Sequence, residues 1–190
     1  MTQSCSKKPL WLASTSPRRG ILLNSLGIPF ETIAPQFEET PTDLSVEKET
    51  LFFAEQKARS VAALCPDSLV IGSDTIVECD GEKLGKPADK RDARRMLKKL
   101  SRKTHRVITA VVLLDTSDGS FKKVVEEAFV TFRGVSDAEI DDYIATGEPM
   151  DKAGAYAAQG EAKKFINQID GEVETVVGLP LKKLREWLEL

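Results

Sequence analysis

The eight-residue run 107–114 is apolar enough to be a strand buried on both faces. Such a strand needs neighbours on either side and a helical layer above and below, which puts the chain in the α/β class with this segment central to its sheet. The flanking sequence alternates accordingly. Residues 30–34 read as a short strand. Phe53, Ala54, Ala58, Val61 and Leu64 fall at spacings of three and four and mark a helix over 46–64, entered from Ser45 and ended by Pro66. Residues 68–73 read as an apolar strand bounded by Asp67 and Asp74, and 76–79 as a further extended piece before the Asp80-Gly81 turn. A helix follows over 89–100, then the central run, a long strand over 121–132, and a helix opened by the Ser136/Glu139 capping box. Residues 165–177 look like a hairpin around Asp170-Gly171, and 180–190 like a terminal helix. The expected architecture is a mixed central sheet with helices on its faces and two lobes around a cleft. At 41% hydrophobic, the 190 residues can fill it as a single domain, 1–190, without staples.

Charge and cysteine content remove several functional classes. The 27 basic and 30 acidic residues are interspersed and sum to −3, which argues against nucleic acid or an anionic membrane as a partner. Cys5, Cys65 and Cys79 are odd in number and widely spaced, giving neither a disulfide framework nor a zinc pattern. Residues 1–9 lack the apolar core of a signal peptide, and no apolar run reaches the ~20 residues of a membrane span. A soluble, cytoplasmic protein is expected. His105 is the only histidine, so a histidine metal cluster is excluded, and nothing around it suggests a catalytic relay.

Residues 12–19, Leu-Ala-Ser-Thr-Ser-Pro-Arg-Arg, read as a strand running into a helix, with Ser16 as N-cap and Pro17 at the first helical position. Cations in a first turn oppose the helix dipole at roughly 0.3 to 1 kcal/mol each. Arg18 and Arg19 therefore make sense beside a bound anion such as phosphate, although two solvated arginines on a capped helix account for the segment equally well. There is no GxxxxGK[ST] pattern, which sets aside P-loop kinases and GTPases.

Other candidates each carry an ordinary alternative. Asp74 in Gly72-Ser73-Asp74-Thr75 can hold a divalent metal or take a proton from water, or can serve a turn at a strand end. Glu38 and Glu39 can add hard oxygen ligands for Mg²⁺ or Mn²⁺, or belong to an acidic surface loop over 35–41. Lys57 lies beside the apolar stripe of its helix, where snorkelling is the plain explanation. Lys86 is held extended by Pro87, or sits in an unremarkable loop. Gln159 follows a small-residue stretch and offers one acceptor beside one donor, matching N3–H and O4 of uracil or thymine, or satisfies nearby backbone.

Together these segments resemble the Maf family of nucleoside triphosphate pyrophosphatases, within the inosine-triphosphatase-like fold. The resemblance rests on residues 12–23 (LASTSPRRGILL), 37–40 (FEET), 55–58 (EQKA), 71–77 (IGSDTIV), 84–87 (LGKP), 104–111 (THRVITAV), 148–156 (EPMDKAGAY) and 176–181 (VVGLPL). It implies cleavage of a nucleoside triphosphate to monophosphate and diphosphate with a divalent cation, Mg²⁺ or Mn²⁺, by a homodimer. It also implies a nucleotide-pool house-cleaning role with a tie to cell-division arrest. By that resemblance Asp74 accepts the proton of the attacking water, Glu39 and Asp74 hold metal, and Ser14, Ser16, Arg19, Lys57 and Lys86 bind the polyphosphate. Arg18, Thr75 and Gln159 look like the specificity set of the branch that hydrolyses dTTP and UTP. Ala157 and Ala158 stand where the family has Gly-Ile. That departure keeps a 7-methyl-GTP or modified-nucleotide pyrophosphatase as the competing reading, with a nucleotide-sensing division regulator as a second.

Overall fold

A computed structural model describes residues 8–40 and 42–190; Cys5, most of the 1–9 stretch and Pro41 of the acidic loop lie outside the described residues. The central run lies in β5 (Thr104–Asp115), which pairs antiparallel with β3 (Leu69–Cys79) on one side and β6 (Phe121–Phe132) on the other. Outward from β3 run β1 (Leu10–Ala13) and β2 (Glu31–Ile33), both parallel, and outward from β6 runs β7 (Ile166–Asp170), antiparallel. A short β4 (Glu82–Leu84) pairs with the far end of β3. The sheet is mixed, with order β2-β1-β3-β5-β6-β7.

Period-two alternation explains why β5 is buried twice over. Ala110, Val112 and Leu114 pack with Ala54, Ala58 and Val61 of α2 (Val46–Val61). Val111 and Leu113 pack on the opposite face with Leu23 of α1 (Pro17–Asn24) and with Leu181 and Leu184 of α6 (Leu181–Trp187). Each such aliphatic contributes roughly 1.5 to 3 kcal/mol on burial. A third core gathers Val77 and Val107 with Leu97 of α3 (Lys90–Leu100) and Ile140 of α4 (Asp137–Ala145). The 11 residues of β3 span ~36 Å and run from one packed region to the other. Among the described residues no helix is long and apolar enough to cross a membrane.

Gly72 sets how closely α2 lies on the sheet. A Cβ there would overlap the Ala54 carbonyl oxygen and come within 3.0 Å of the Ala58 side chain. Gly72→Ala is expected to cost ~1 to 3 kcal/mol by overpacking against helix backbone. Because Lys57 is carried on α2, its position would shift as well. An unchanged urea midpoint would show that the helix has room to yield.

Three local expectations are corrected. Asp74 does not end a strand: β3 continues through it, because the Gly-Ser-Asp-Thr punctuation is overridden by unbroken pairing with β5 from Leu69 to Glu78. Residues 165–177 are not a hairpin: β7 is followed by the short helix α5 (Val173–Val177), which ends at Gly178 in the left-handed region. The Asp170-Gly171 turn is followed by a helical turn and not by a return strand, although β-branched residues there would suit one. Ser16 does stand at the N-cap with Pro17 after it, but its side chain makes no capping hydrogen bond. The Ser136/Glu139 box forms in full, and Asp89 caps α3 by accepting the Asp92 N–H at 2.7 Å.

Candidate active site

A gap in the sheet creates the cleft. β1 stops at Ala13, opposite Gly72, and β4 takes up pairing on the same side of β3 only at Val77. Between these points β3 has no strand partner on that side among the described residues, and a cleft of about 710 Å³ opens there. That volume lies within the usual range for a small-molecule site. Alternation along β3 turns Asp74 toward α2 and Thr75 toward α1, so side chains from both faces of the sheet reach one opening.

On the α2 side, Lys57 Nζ lies 2.5 Å from Asp74 Oδ1 and 2.6 Å from Glu39 Oε1. The side chains of Lys57 and Asp74 are only 7% and 6% exposed, so the stripe-edge, snorkelling explanation of Lys57 gives way to a buried ion cluster. Burial pushes the Asp74 carboxyl above the ordinary carboxylate range; Lys57 and Arg19 oppose the shift and Glu39 adds to it. Burial also acts upward on Glu39, but Lys57, Lys86 and Arg19 together hold it below its usual value. Lys86 Nζ stands 4.0 Å from Glu39 and is largely exposed. Glu38 is exposed and does not line the cleft.

On the α1 side, Arg19 donates from Nε to the Gly178 carbonyl at 2.9 Å and from Nη2 to Thr75 Oγ1 at 3.2 Å. Its Nη1 is 3.5 Å from Ser14 Oγ, which also accepts the Ser16 N–H at 3.1 Å. Gly178 has φ 110°, and a Cβ there would sit 3.0 Å from Thr75 Oγ1 and 3.3 Å from Arg19 Nε. Only glycine both reaches that backbone conformation cheaply and leaves room for the guanidinium.

The third wall is the 151–159 segment. Arg18 Nη1 reaches to 3.9 Å from Asp151 Oδ2, and the buried Lys152 donates to the same carboxylate. Gln159 lies exposed on the rim beside Ala157 and Ala158. The segment is pinned from beneath, where Tyr156 Oη and His105 Nε2 are hydrogen-bonded at 2.9 Å and Tyr143 Oη accepts the Ala157 N–H at 3.3 Å.

Ser14, Ser16, Arg18, Arg19, Glu39, Lys57, Asp74, Thr75, Lys86 and Gln159 all line this one cleft. The sequence reading passed over Asp151 and Lys152 as site residues, although they stand inside the quoted 148–156 motif. It also missed the buried Glu49, paired with Lys83 on the cleft wall, which no pattern around Glu49 announces.

His105 has a measurable consequence for stability. Burial holds its imidazole neutral, with the pKa pushed down to about 4 from 6.5. The unfolded chain binds that proton from about pH 6.5 downward while the folded one does not. The stability tied to the neutral ring is therefore whole above pH 6.5 and is lost as the pH falls toward 4. Between pH 7 and pH 5, wild type should lose ~2 kcal/mol more than His105→Gln in urea unfolding. Equal losses in the two proteins would contradict the assignment.

Among the described residues, no three His, Cys, Asp or Glu side chains gather as a ready metal cage. Asp74 and Glu39 nevertheless aim two hard oxygens at one cationic point, the Lys57 ammonium, beside open space. One or two carboxylates completed by phosphate oxygens is how Mg²⁺ is commonly bound, so this donor set fits such an ion.

Comparison with known proteins gives a consistent picture. Residues 9–190 match the family described as Maf-like protein. The chain is 49% identical to a dTTP/UTP pyrophosphatase of Bacillus velezensis over 177 residues, 93% of each protein. It is 43% identical to a protein of the same description from Pelotomaculum thermopropionicum, covering 96% of each. A third such protein, from Shewanella oneidensis, is 45% identical over 94% of this chain and 96% of its own length. The solved structure of the Staphylococcus aureus Ham1 protein superimposes with a TM-score of 0.51 over 96% of this chain and 98% of that one; at 14% identity it speaks for the fold alone.

Proposed function

The chain belongs to the Maf-like protein family, and we propose from that premise that it hydrolyses dTTP and UTP to the nucleoside monophosphate and diphosphate. The observation that carries the reading is the placement of Asp74 and Glu39 on one ammonium, facing Arg19 across the cleft. A triphosphate brings about four negative charges, part of which Arg19, Lys57 and Lys86 offset, while Ser14 and Ser16 offer hydroxyls at the start of α1.

Asp74 has the environment of a proton acceptor. Its raised pKa makes it a better base than an ordinary carboxylate, and Lys57 fixes its orientation. Water attacks the α-phosphorus, its proton passes to the Asp74 carboxylate, and the bond from the α-phosphorus to the bridging oxygen breaks to release diphosphate. Glu39 and Asp74 would hold a divalent cation, which when bound supplies charge neutralisation at the phosphates. Arg18 and Gln159, both lining the cleft, face the base in this reading, and Thr75 completes the specificity set.

The reading extends to one Maf-like unit over 1–190 acting as a cytoplasmic homodimer in nucleotide house-cleaning. The buried free thiols of Cys65 and Cys79 are compatible with a reducing compartment. A panel of nucleoside triphosphates with Mg²⁺ or Mn²⁺, scored separately for phosphate and diphosphate, tests the function. UMP and dTMP with diphosphate are expected. UDP with single phosphates, or preferred cleavage of 7-methyl-GTP, would overturn it.

A further inference from the structure

Two of the motifs, residues 104–111 and 176–181, supply no group that the proposed reaction uses, yet both lead to Arg19. Thr109 is the one polar residue of the buried central run and is fully enclosed. Its Oγ1 lies 2.9 Å from Thr75 Oγ1 and 2.7 Å from the Thr175 carbonyl oxygen. Thr75 Oγ1 in turn accepts from Arg19 Nη2 at 3.2 Å.

The direction of every proton in this chain is fixed. A guanidinium only donates and a carbonyl only accepts, while each hydroxyl has a single proton. The Thr175 carbonyl takes the single Thr109 proton, so the link between the two hydroxyls must use the Thr75 proton, and Thr75 is left to accept from Arg19. No other arrangement satisfies all three links. The second tie on the guanidinium, from Nε to the Gly178 carbonyl, is anchored three residues beyond Thr175, on a carbonyl that also accepts from Ser73 Oγ at 2.8 Å. Two donors of Arg19, Nε and Nη2, are thereby committed to the framework. Nη1 keeps only its 3.5 Å contact to Ser14 Oγ, and Arg19 lines the cleft.

We propose that Thr109 is a positioning residue: it orients the Thr75 hydroxyl so that Thr75 accepts from Arg19, and so presents the guanidinium to the phosphates of the substrate. Without the Thr109 oxygen, the Thr75 proton has no acceptor there, and the hydroxyl is no longer held with a lone pair fixed on Arg19 Nη2. The inference rests on Arg19 being a phosphate-binding residue, as in the proposed function.

The test uses inorganic tripolyphosphate as the probe, with binding read by calorimetry for wild type, Thr109→Val, Thr109→Ser, Arg19→Ala and the Arg19→Ala/Thr109→Val double variant. Thr109→Val should weaken binding roughly 3- to 10-fold, the scale of one hydrogen bond, and should raise KM for UTP more than it lowers kcat. Thr109→Ser keeps the hydroxyl and should restore both. In the Arg19→Ala background, Thr109→Val should have no further effect, since the group it positions is gone. Wild-type binding by Thr109→Val, a serine variant as weak as the valine, or an equal loss in the Arg19→Ala background would each overturn the proposal. If Thr109→Val melts below the assay temperature, Thr75→Val cuts the same chain and should show the same loss; unimpaired binding there would overturn it. Arg19-dependent tripolyphosphate binding without diphosphate release from UTP would instead sink the reaction assignment and leave the Thr109 relay standing.

Discussion

Asp74→Asn is expected to lower kcat for UTP by ~10²-fold or more, the scale for loss of a positioned general base, while nucleotide binding stays measurable. The carboxamide keeps the shape of the side chain but takes no proton from water. The fold should tolerate the change, because Lys57 retains Glu39 at 2.6 Å and its buried ammonium is not orphaned. Binding should stay measurable, since the loss of one carboxylate from the cation's donor set is countered by removal of a negative charge from beside a polyanion. Turnover near that of wild type would take Asp74 out of the mechanism.

Gln159→Ala should change base selection rather than the chemistry. A good bidentate base contact is worth roughly 1 to 3 kcal/mol, so kcat/KM for UTP is expected to fall about 5- to 150-fold. Cytosine presents the reversed donor and acceptor pattern, so efficiency with CTP should change far less. The loop itself has other anchors, in the Tyr156–His105 and Tyr143–Ala157 hydrogen bonds, and Gln159 is exposed on the rim, so truncation leaves its framework in place. Equal losses on UTP and CTP would make Gln159 a loop-structuring residue and leave the pyrimidine preference to Arg18 and Thr75.

Much of the fold was legible because it follows from periodicity. The central strand, α2, α3 and the capping box of α4 each carry their own local signal, and the structure places them within a few residues of expectation. Asp74 illustrates what is not local. Its neighbours read as turn punctuation, and only pairing with β5 shows that β3 runs through it, with the missing strand on the other side making room for a substrate. Lys57 could be read from sequence as an edge residue of an amphipathic helix; its burial against Asp74 depends on Gly72 letting α2 approach, a relation between residues distant along the chain. Thr109 carried a signal that went unused, a lone hydroxyl in a buried apolar strand, where an unpaired polar group would be costly. Residues 173–177 carry β-branched side chains that suit a strand and here form a short helix, whose Thr175 carbonyl anchors Thr109 and whose C-cap, Gly178, anchors Arg19.

The most direct measurement is the position of solvent oxygen in the products when UTP is hydrolysed in heavy-oxygen water. Attack on the α-phosphorus, with Asp74 taking the proton, places the label in UMP and leaves the diphosphate unlabelled. Label in the diphosphate would mean attack on the β-phosphorus, and label in released single phosphate would mean attack on the γ-phosphorus; either result would contradict the assignment of Asp74 and the cleft to pyrophosphohydrolysis at the α-position.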